Sequence, residues 1–167
     1  MKRKKLIAIR TVLIVLTVLV MAVIFILSAD NADESNAKSD LLADSFVYTV
    51  LSLFELTDEE IQQVIDVSVF IVRKTAHFAE YCVLGFLISA VFVSFYFKPQ
   101  MNIPISFASG FLYAVSDEIH QYFVPGRACM LKDVLIDSCG VFCGIAALLF
   151  IVWLYNYIKT KKNRVCK

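Results

Sequence analysis

Charge is scarce in this sequence. Asp, Glu, Lys and Arg make up only 19% of the 167 residues, whereas 59% are hydrophobic, and the formal net charge is +1. Soluble domains contain about 45–50% apolar residues. Together with a mean hydropathy of +0.73, this composition excludes a disordered chain and argues strongly against a soluble globular domain. It indicates a helical membrane protein.

Three further features are absent. No basic tract is interleaved with aromatic residues, so we expect no nucleic-acid partner. The sequence has no internal repeat and no low-complexity segment. The 5 cysteines form no Cys-x-x-Cys pair. We interpret them as small apolar packing residues or inert thiols, with a metal site on Cys139 and Cys143 as the minor alternative. We predict no cofactor.

Four stretches each contain about 20 mostly apolar residues, the length that crosses a membrane as a helix. They are approximately residues 6–27, 75–97, 103–123 and 133–157. The predicted fold class is therefore an all-α membrane protein with four transmembrane helices, which form a single integral membrane domain over residues 1–167. The first stretch is longer than the about 7–15 apolar residues of a signal peptide, so we expect an uncleaved anchor.

Basic residues cluster at the two ends of the chain, between Lys2 and Arg10 and between Lys159 and Lys167. Because basic segments stay on the cytoplasmic side, we expect a multi-pass protein of the plasma membrane with both termini in the cytoplasm. The connection 28–72 then faces outward. Ten of the 15 acidic residues lie in that connection, and the other five lie in the outer half of a span, which is consistent with this topology.

The outer connection contains a predicted helix start. Thr57 and Glu60 have the spacing of a capping box, in which each side chain accepts a backbone hydrogen bond from the other residue. Apolar residues then recur at helical spacing from Ile61 to Val72. We predict an amphipathic helix at the outer membrane surface that leads into the second span. A re-entrant pair of short helices at 41–71 is the alternative.

Polar residues recur at the same outer depth on the last three predicted spans and on the loop above them. They are Arg73, His77, Glu80, Asp117, Glu118, His120, Gln121, Arg127, Asp133 and Asp137. At about 100° per residue, the polar residues of each span fall mainly on one helix face, although Glu118 is turned away from Asp117. We expect these faces to converge on an outward-facing polar pocket. Deeper in the fourth span, Gly140 and Gly144 form a Gly-x-x-x-Gly motif that favours close helix packing.

Two neighbouring side chains have a second interpretation. Lys74 has the length to snorkel to the lipid headgroups. Tyr81, like Tyr122, fits an aromatic belt at the membrane interface.

Three segments carry a family resemblance: Arg73–Tyr81, Ser116–Arg127 and Asp133–Gly140. In this order they resemble the VanZ-like family of membrane proteins, over about residues 70–150. Residues 27–31, Leu-Ser-Ala-Asp-Asn, depart from the Ser-x-Gln of many relatives. The resemblance implies a role at the outer membrane face, in cell-envelope or membrane-surface chemistry, and a link to resistance against the glycopeptide teicoplanin.

One interpretation of the pocket is an enzyme that acts on an envelope lipid or lipid-linked glycan. His77 or His120 is the candidate general base, because imidazole titrates near neutral pH. The candidate catalytic carboxylates are Glu80, Asp117 and Glu118. The candidate substrate-binding residues are Arg73, Lys74, Tyr81, Gln121, Arg127, Asp133 and Asp137, with the arginines clamping a phosphate or carboxylate. A divalent metal is a minority alternative, and no residue is assigned to it.

Two other interpretations stay open. In one, the pocket binds a membrane lipid, a lipid-linked glycan or a lipoglycopeptide at the outer leaflet without catalysis. In the other, the polar residues form a purely structural ion-pair network. A transporter is disfavoured, since no acidic residue or histidine reaches the inner half of a predicted span. The sequence leaves open whether the protein is an enzyme and which oligomer it forms.

Overall fold

The computed structural model describes residues 2–29, 57–127 and 130–165, and within these ranges every regular element is an α-helix. The helices are α1 (Lys2–Ser28), α2 (Asp58–Ser94), α3 (Pro99–Tyr122) and α4 (Leu131–Val165). The predicted all-α fold class is therefore confirmed.

Three of the four helices, α1, α2 and α4, are long and apolar enough to cross a membrane. The 24-residue α3 is also long enough, but it is more polar. Its buried polar residues are Asn102, Ser106, Asp117, Glu118 and Gln121. The chain is therefore a helical membrane protein, while α3 as a fourth span, the limits of each span and the single domain stay predictions.

The capping box predicted at the start of α2 is confirmed. The Thr57 hydroxyl accepts a hydrogen bond of 3.4 Å from the Glu60 backbone N–H, and the Glu60 carboxylate accepts one of 2.9 Å from the Thr57 backbone N–H. From there α2 runs without a break for 37 residues, which is about 55 Å against a hydrocarbon core of about 30 Å. The predicted amphipathic helix is thus continuous with the second span. Residues 30–56, including part of the re-entrant alternative, lie outside the described residues.

Two short connections join the last three helices. The chain turns after α2 at Phe95 and Tyr96, and Pro99 then occupies the first turn of α3, where a missing N–H costs nothing. The loop before α4 contains the turn that the Pro-Gly pair predicted. The Arg127 N–H donates to the Val124 carbonyl at 3.2 Å, and Gly126 has a φ of 77°, which glycine adopts without strain.

Helices α2 and α4 pack with their backbones nearly in contact, and glycine makes this possible. A Cβ atom at Gly144 would lie 1.9 Å from the Cys82 carbonyl oxygen, and one at Gly140 would lie 2.5 Å from the Phe78 carbonyl oxygen. A Cβ at Gly85 of α2 would in turn lie 2.3 Å from the Val141 carbonyl oxygen. The Gly-x-x-x-Gly motif is therefore a packing surface, as predicted.

The apolar core lies beside this α2–α4 contact. It contains Ile24 of α1, Tyr81 and Leu84 of α2, Ala114 of α3 and Val141 of α4, all nearly inaccessible to solvent. Of the cysteines whose side chains are described, Cys82 is partly buried and Cys139 and Cys143 are exposed, and all three are free thiols.

A second polar cluster joins α2 to α3 near the opposite end of the bundle. The Ser89 hydroxyl donates to the Asn102 side-chain oxygen at 2.7 Å, and the Asn102 amide donates to the Ser89 carbonyl at 3.0 Å. Ser106 donates to the same Asn102 oxygen at 3.2 Å. All three residues are fully buried. These bonds give the buried side chains of Asn102 and Ser106 hydrogen-bond partners inside the bundle.

Candidate functional site

The candidate site lies at the end of the bundle where α1 and α3 finish and α4 begins. At its centre is Asp117 of α3, which is 2% exposed. Its Oδ2 atom accepts hydrogen bonds from the Ser28 hydroxyl of α1 at 2.8 Å and from the Tyr81 hydroxyl of α2 at 3.2 Å. One buried carboxylate thus ties three helices together.

This network continues from Asp117 to the loop after α3. The Gln121 amide donates to the same Asp117 oxygen at 3.0 Å. The Arg127 guanidinium donates to the Gln121 side-chain oxygen at 3.1 Å. The other Asp117 oxygen, Oδ1, is buried without a hydrogen-bond partner among the described residues. We call Ser28, Tyr81, Asp117, Gln121 and Arg127 the Asp117 network.

A separate set of contacts joins α2 to the start of α4. The Lys74 ammonium pairs with the Asp133 carboxylate, and both side chains are largely buried. The same ammonium lies 5.5 Å from the centre of the Phe70 ring. Nearby, the Glu118 carboxylate accepts a hydrogen bond of 3.1 Å from the Met130 backbone N–H. Lys74 therefore faces into the bundle, and its interpretation as a snorkelling residue is wrong, because an acidic partner on α4 holds it there.

These contacts border an open pocket of about 360 Å³. Its lining residues are Phe70, Arg73, Lys74, His77, Gln121, Gly126, Arg127, Met130, Lys132, Asp133 and Ile136. Among these described residues, four are cations and a single one is a carboxylate, Asp133, which already pairs with Lys74. Cationic side chains therefore outnumber carboxylates in the described lining, a composition that suits an anionic group such as a phosphate.

A small void of about 10 Å³ lies next to this pocket. The residues Lys74, His77, Asp133 and Ile136 line both, and Glu118 and Asp137 complete the void. Asp137 is 1% exposed, and neither of its carboxylate oxygens has a hydrogen-bond partner among the described residues. The void thus adds an acidic recess to the cationic pocket.

Comparison with known families identifies the family of the chain. The family model for VanZ/LLP1 matches residues 13–154. The chain belongs to the VanZ/LLP1 family. Curated proteins and solved structures give no significant match. The family match begins inside α1 and ends inside α4, so it contains both the Asp117 network and the pocket of this VanZ/LLP1 protein.

The predicted site residues of this VanZ/LLP1 chain do not all meet in one place. Six of them, Arg73, Lys74, His77, Gln121, Arg127 and Asp133, line the pocket. Glu118 and Asp137 line only the void. Glu80, Tyr81, Asp117 and His120 line neither. The expected single pocket is therefore divided into a cationic pocket, its acidic recess and the Asp117 network.

Two predicted roles change because of this division. His120 turns toward α1, where its ring stacks on Phe25 with the ring centres 4.1 Å apart. Only His77, of the two histidines, lines the pocket, and its role as a general base stays a prediction. Tyr81 is completely buried, so its interpretation as an interfacial belt residue is wrong, since it packs in the core and reaches Asp117. Tyr122, in contrast, is 66% exposed.

Sequence reasoning missed two parts of the site. Ser28 belongs to the segment that was compared with the Ser-x-Gln of relatives, but it was given no role, because its partner on α3 is far away in sequence. Lys132 was not among the predicted site residues, but it lies in the first turn of α4 and lines the pocket. In the part of the chain that the structure describes, no three His, Cys, Asp or Glu side chains are arranged to hold a metal ion.

Proposed function

We propose that this VanZ/LLP1 membrane protein binds the anionic headgroup of an envelope lipid or lipid-linked glycan in the cationic pocket, at the outer face of the plasma membrane. The observation that supports this proposal is the charge of the pocket lining. Arg73, Lys74, Arg127 and Lys132 surround a space in which Asp133 is the one carboxylate among the described lining residues.

The chemistry of the lining matches a phosphate diester. Guanidinium groups bind phosphate oxygens with two parallel hydrogen bonds, and lysine adds a point charge. Arg73, Lys74 and Arg127 are partly buried, whereas Lys132 is exposed. Partial burial reduces screening by salt and water, so the three partly buried charges act more strongly than cations on an open surface. Phe70 and Ile136 add apolar walls that suit the glycerol or acyl region next to a headgroup.

The topology proposed with this function has four spans and both termini in the cytoplasm. The basic residues at the start of α1 and in the last turns of α4 favour the cytoplasmic side for those helix ends. The pocket lies at the other end of α1 and at the beginning of α4, which corresponds to the outer leaflet. A lipid headgroup is the anion that is most abundant at that depth.

We further propose that headgroup binding changes how teicoplanin acts on the cell surface. A protein that holds envelope lipids or lipid-linked glycans at the outer leaflet competes with a lipoglycopeptide for its insertion site or its target. The cationic pocket would then support resistance by binding, with no covalent change to the drug.

The binding proposal is tested with purified protein in detergent and dioleoyl phosphatidylglycerol, by native mass spectrometry. The double variant Arg73→Gln, Lys132→Gln removes two pocket cations. The matched control Lys161→Gln, Lys162→Gln removes two exposed cations from the far end of α4. We expect the pocket variant to lose roughly tenfold in affinity and the control to bind like the wild type. Equal binding by all three proteins would overturn the proposal.

The cellular part is tested by expressing the same three proteins at equal levels in a teicoplanin-susceptible bacterial host. We expect a raised inhibitory concentration of teicoplanin for the wild type and the control pair and none for the pocket variant. Resistance that persists in the pocket variant would show that it does not depend on the cationic lining.

A further inference from the structure

The carboxylate of Asp137 is buried in the small recess beside the pocket. It lies on α4, one helical turn below Asp133, and its oxygens have no hydrogen-bond partner among the described residues. Burying an ionised carboxylate without a partner is costly, and such groups in proteins are paired or neutralised. The charged groups that face the same void are Lys74, which already pairs with Asp133, and His77 and Glu118. Among the described residues, Asp137 therefore has no cationic partner in the recess, because Lys74 is paired with Asp133.

The size of the recess limits what can enter it. Its volume of about 10 Å³ corresponds to roughly one water molecule. A primary ammonium is close to water in size and donates three hydrogen bonds, so it can satisfy both Asp137 oxygens at once. A quaternary ammonium is several times larger, so it does not fit into the recess. It also has no N–H to donate to the Asp137 oxygens.

The recess opens beside the cationic pocket, and the charge of the lining changes along α4. Lys132 lies in the first turn and lines the pocket, while Asp137 lies one to two turns further in and lines the recess. Building on the proposed headgroup function, we infer that the ligand is zwitterionic: its phosphate lies among the pocket cations, and its primary ammonium enters the recess and binds Asp137.

Two kinds of envelope lipid have this chemistry. One is a phosphoethanolamine headgroup, and the other is a phosphatidylglycerol that carries an amino acid. Both present a phosphodiester followed by a primary ammonium, but the aminoacyl form places the ammonium further from the phosphate. The difference in affinity between these two lipids therefore indicates how far the recess lies from the phosphate site.

The experiment measures lipid affinity by native mass spectrometry of the full-length protein in detergent. The test lipids have matched dioleoyl chains: phosphatidylethanolamine, its N-methyl and N,N-dimethyl forms, phosphatidylcholine, lysyl-phosphatidylglycerol and phosphatidylglycerol. For the wild type we expect at least one primary-amine lipid to bind at least fivefold more tightly than phosphatidylglycerol. If that lipid is phosphatidylethanolamine, each added methyl group should lower the affinity. This series needs no variant, so it does not depend on a mutant that folds.

The variant Asp137→Asn keeps the shape of the side chain and removes its charge. We expect its preference for the primary amine over phosphatidylglycerol to fall below twofold, through a loss of affinity for the amine lipid. Asp66→Asn is the matched control, because Asp66 is an exposed carboxylate on α2, and it should keep the wild-type preference.

The outcomes separate this inference from the proposed function. If phosphatidylcholine or phosphatidylglycerol binds the wild type as well as both amine lipids, or if Asp137→Asn keeps the preference, the ammonium site is wrong. If, in addition, phosphatidylglycerol affinity is unchanged by Arg73→Gln, Lys132→Gln, the headgroup function itself is wrong. If that affinity falls but no amine preference exists, the pocket binds phosphate and only the further inference fails.

Discussion

The Ser28 hydroxyl at the end of α1 donates a 2.8 Å hydrogen bond to Asp117 near the end of α3, and both residues are buried. This bond joins α1 directly to α3. It gives the first helix a role beyond membrane anchoring, since α1 supplies one of the donors that hold the central carboxylate of the site. The Tyr113 hydroxyl, which donates to the Met21 carbonyl at 2.6 Å, adds a further bond between the same two helices.

The Tyr81–Asp117 bond predicts a stability effect without loss of apolar packing. Tyr81→Phe removes a buried donor and keeps the ring, so we expect a loss of about 0.5–2 kcal/mol, the range measured for hydrogen bonds between membrane helices. The midpoint of thermal unfolding in detergent measures it. Tyr122→Phe, at an exposed position, is the control and should leave the midpoint unchanged. An equal midpoint for both variants would contradict a stabilising Tyr81–Asp117 bond.

The Lys74–Asp133 pair predicts energetic coupling between α2 and α4. Lys74→Met or Asp133→Asn alone leaves one largely buried charge without its partner, so each should destabilise by about 1–3 kcal/mol. The double variant should lose less than the sum of the two, with a coupling of about 1 kcal/mol. Unfolding titrations of the wild type, the two single variants and the double variant in mixed micelles measure this coupling as a double-mutant cycle.

The exposed pair Gln62 and Asp66, joined by a hydrogen bond of 3.0 Å on one helix, provides the control cycle. Its coupling should stay below about 0.5 kcal/mol, as for other exposed pairs one turn apart. A coupling between Lys74 and Asp133 no larger than this would mean that the pair contributes no specific link between the helices.

Much of the local structure could be predicted because it depends on residues close in sequence. The capping box of Thr57 and Glu60 and the Pro-Gly turn before α4 are both present. The rotation of about 100° between neighbouring helix residues also predicted that Asp117 and Glu118 point in different directions. Asp117 indeed meets Ser28 and Tyr81, whereas Glu118 meets the Met130 N–H.

The parts that could not be predicted depend on how the helices rotate against each other. A polar stripe at a given depth does not say which neighbour it faces. Lys74 and Tyr81 therefore had plausible lipid-facing interpretations, but the close approach of α2 to α4 and α3 turns both inward. His120 was expected to line the pocket, but its ring faces Phe25 of α1 instead. The division of one expected pocket into three parts follows from these rotations.

The cap of α2 predicts a local effect in the first turn of that helix. Thr57→Ala removes the side-chain acceptor of the Glu60 N–H and should cost about 1 kcal/mol. Amide exchange in the first turn of α2 should then rise by roughly fivefold, while exchange around Leu84 stays unchanged. Thr160→Ala on the exposed end of α4 is the control for loss of a hydroxyl. Faster exchange along the whole of α2 would contradict a purely local cap.

The strongest predicted effect concerns Gly144, because its Cβ position is occupied by the backbone of α2. In Gly144→Ala the new methyl group would lie 1.9 Å from the Cys82 carbonyl oxygen, and a carbonyl on a packed helix cannot rotate away as a side chain can. The helices must separate, which costs about 1–3 kcal/mol or more. Because α2 and α4 both line the pocket, headgroup affinity should fall together with stability.

Cys143→Ala is the matched control for this last change, since Cys143 precedes Gly144 on the same helix and is exposed. It should change stability by less than about 0.5 kcal/mol and leave lipid binding intact. Thermal unfolding in detergent and native mass spectrometry of the same samples measure both properties. If Gly144→Ala were as stable as Cys143→Ala, the α2–α4 contact would have to be looser than described. If it lost stability but kept full lipid affinity, the pocket would not depend on the spacing of these two helices.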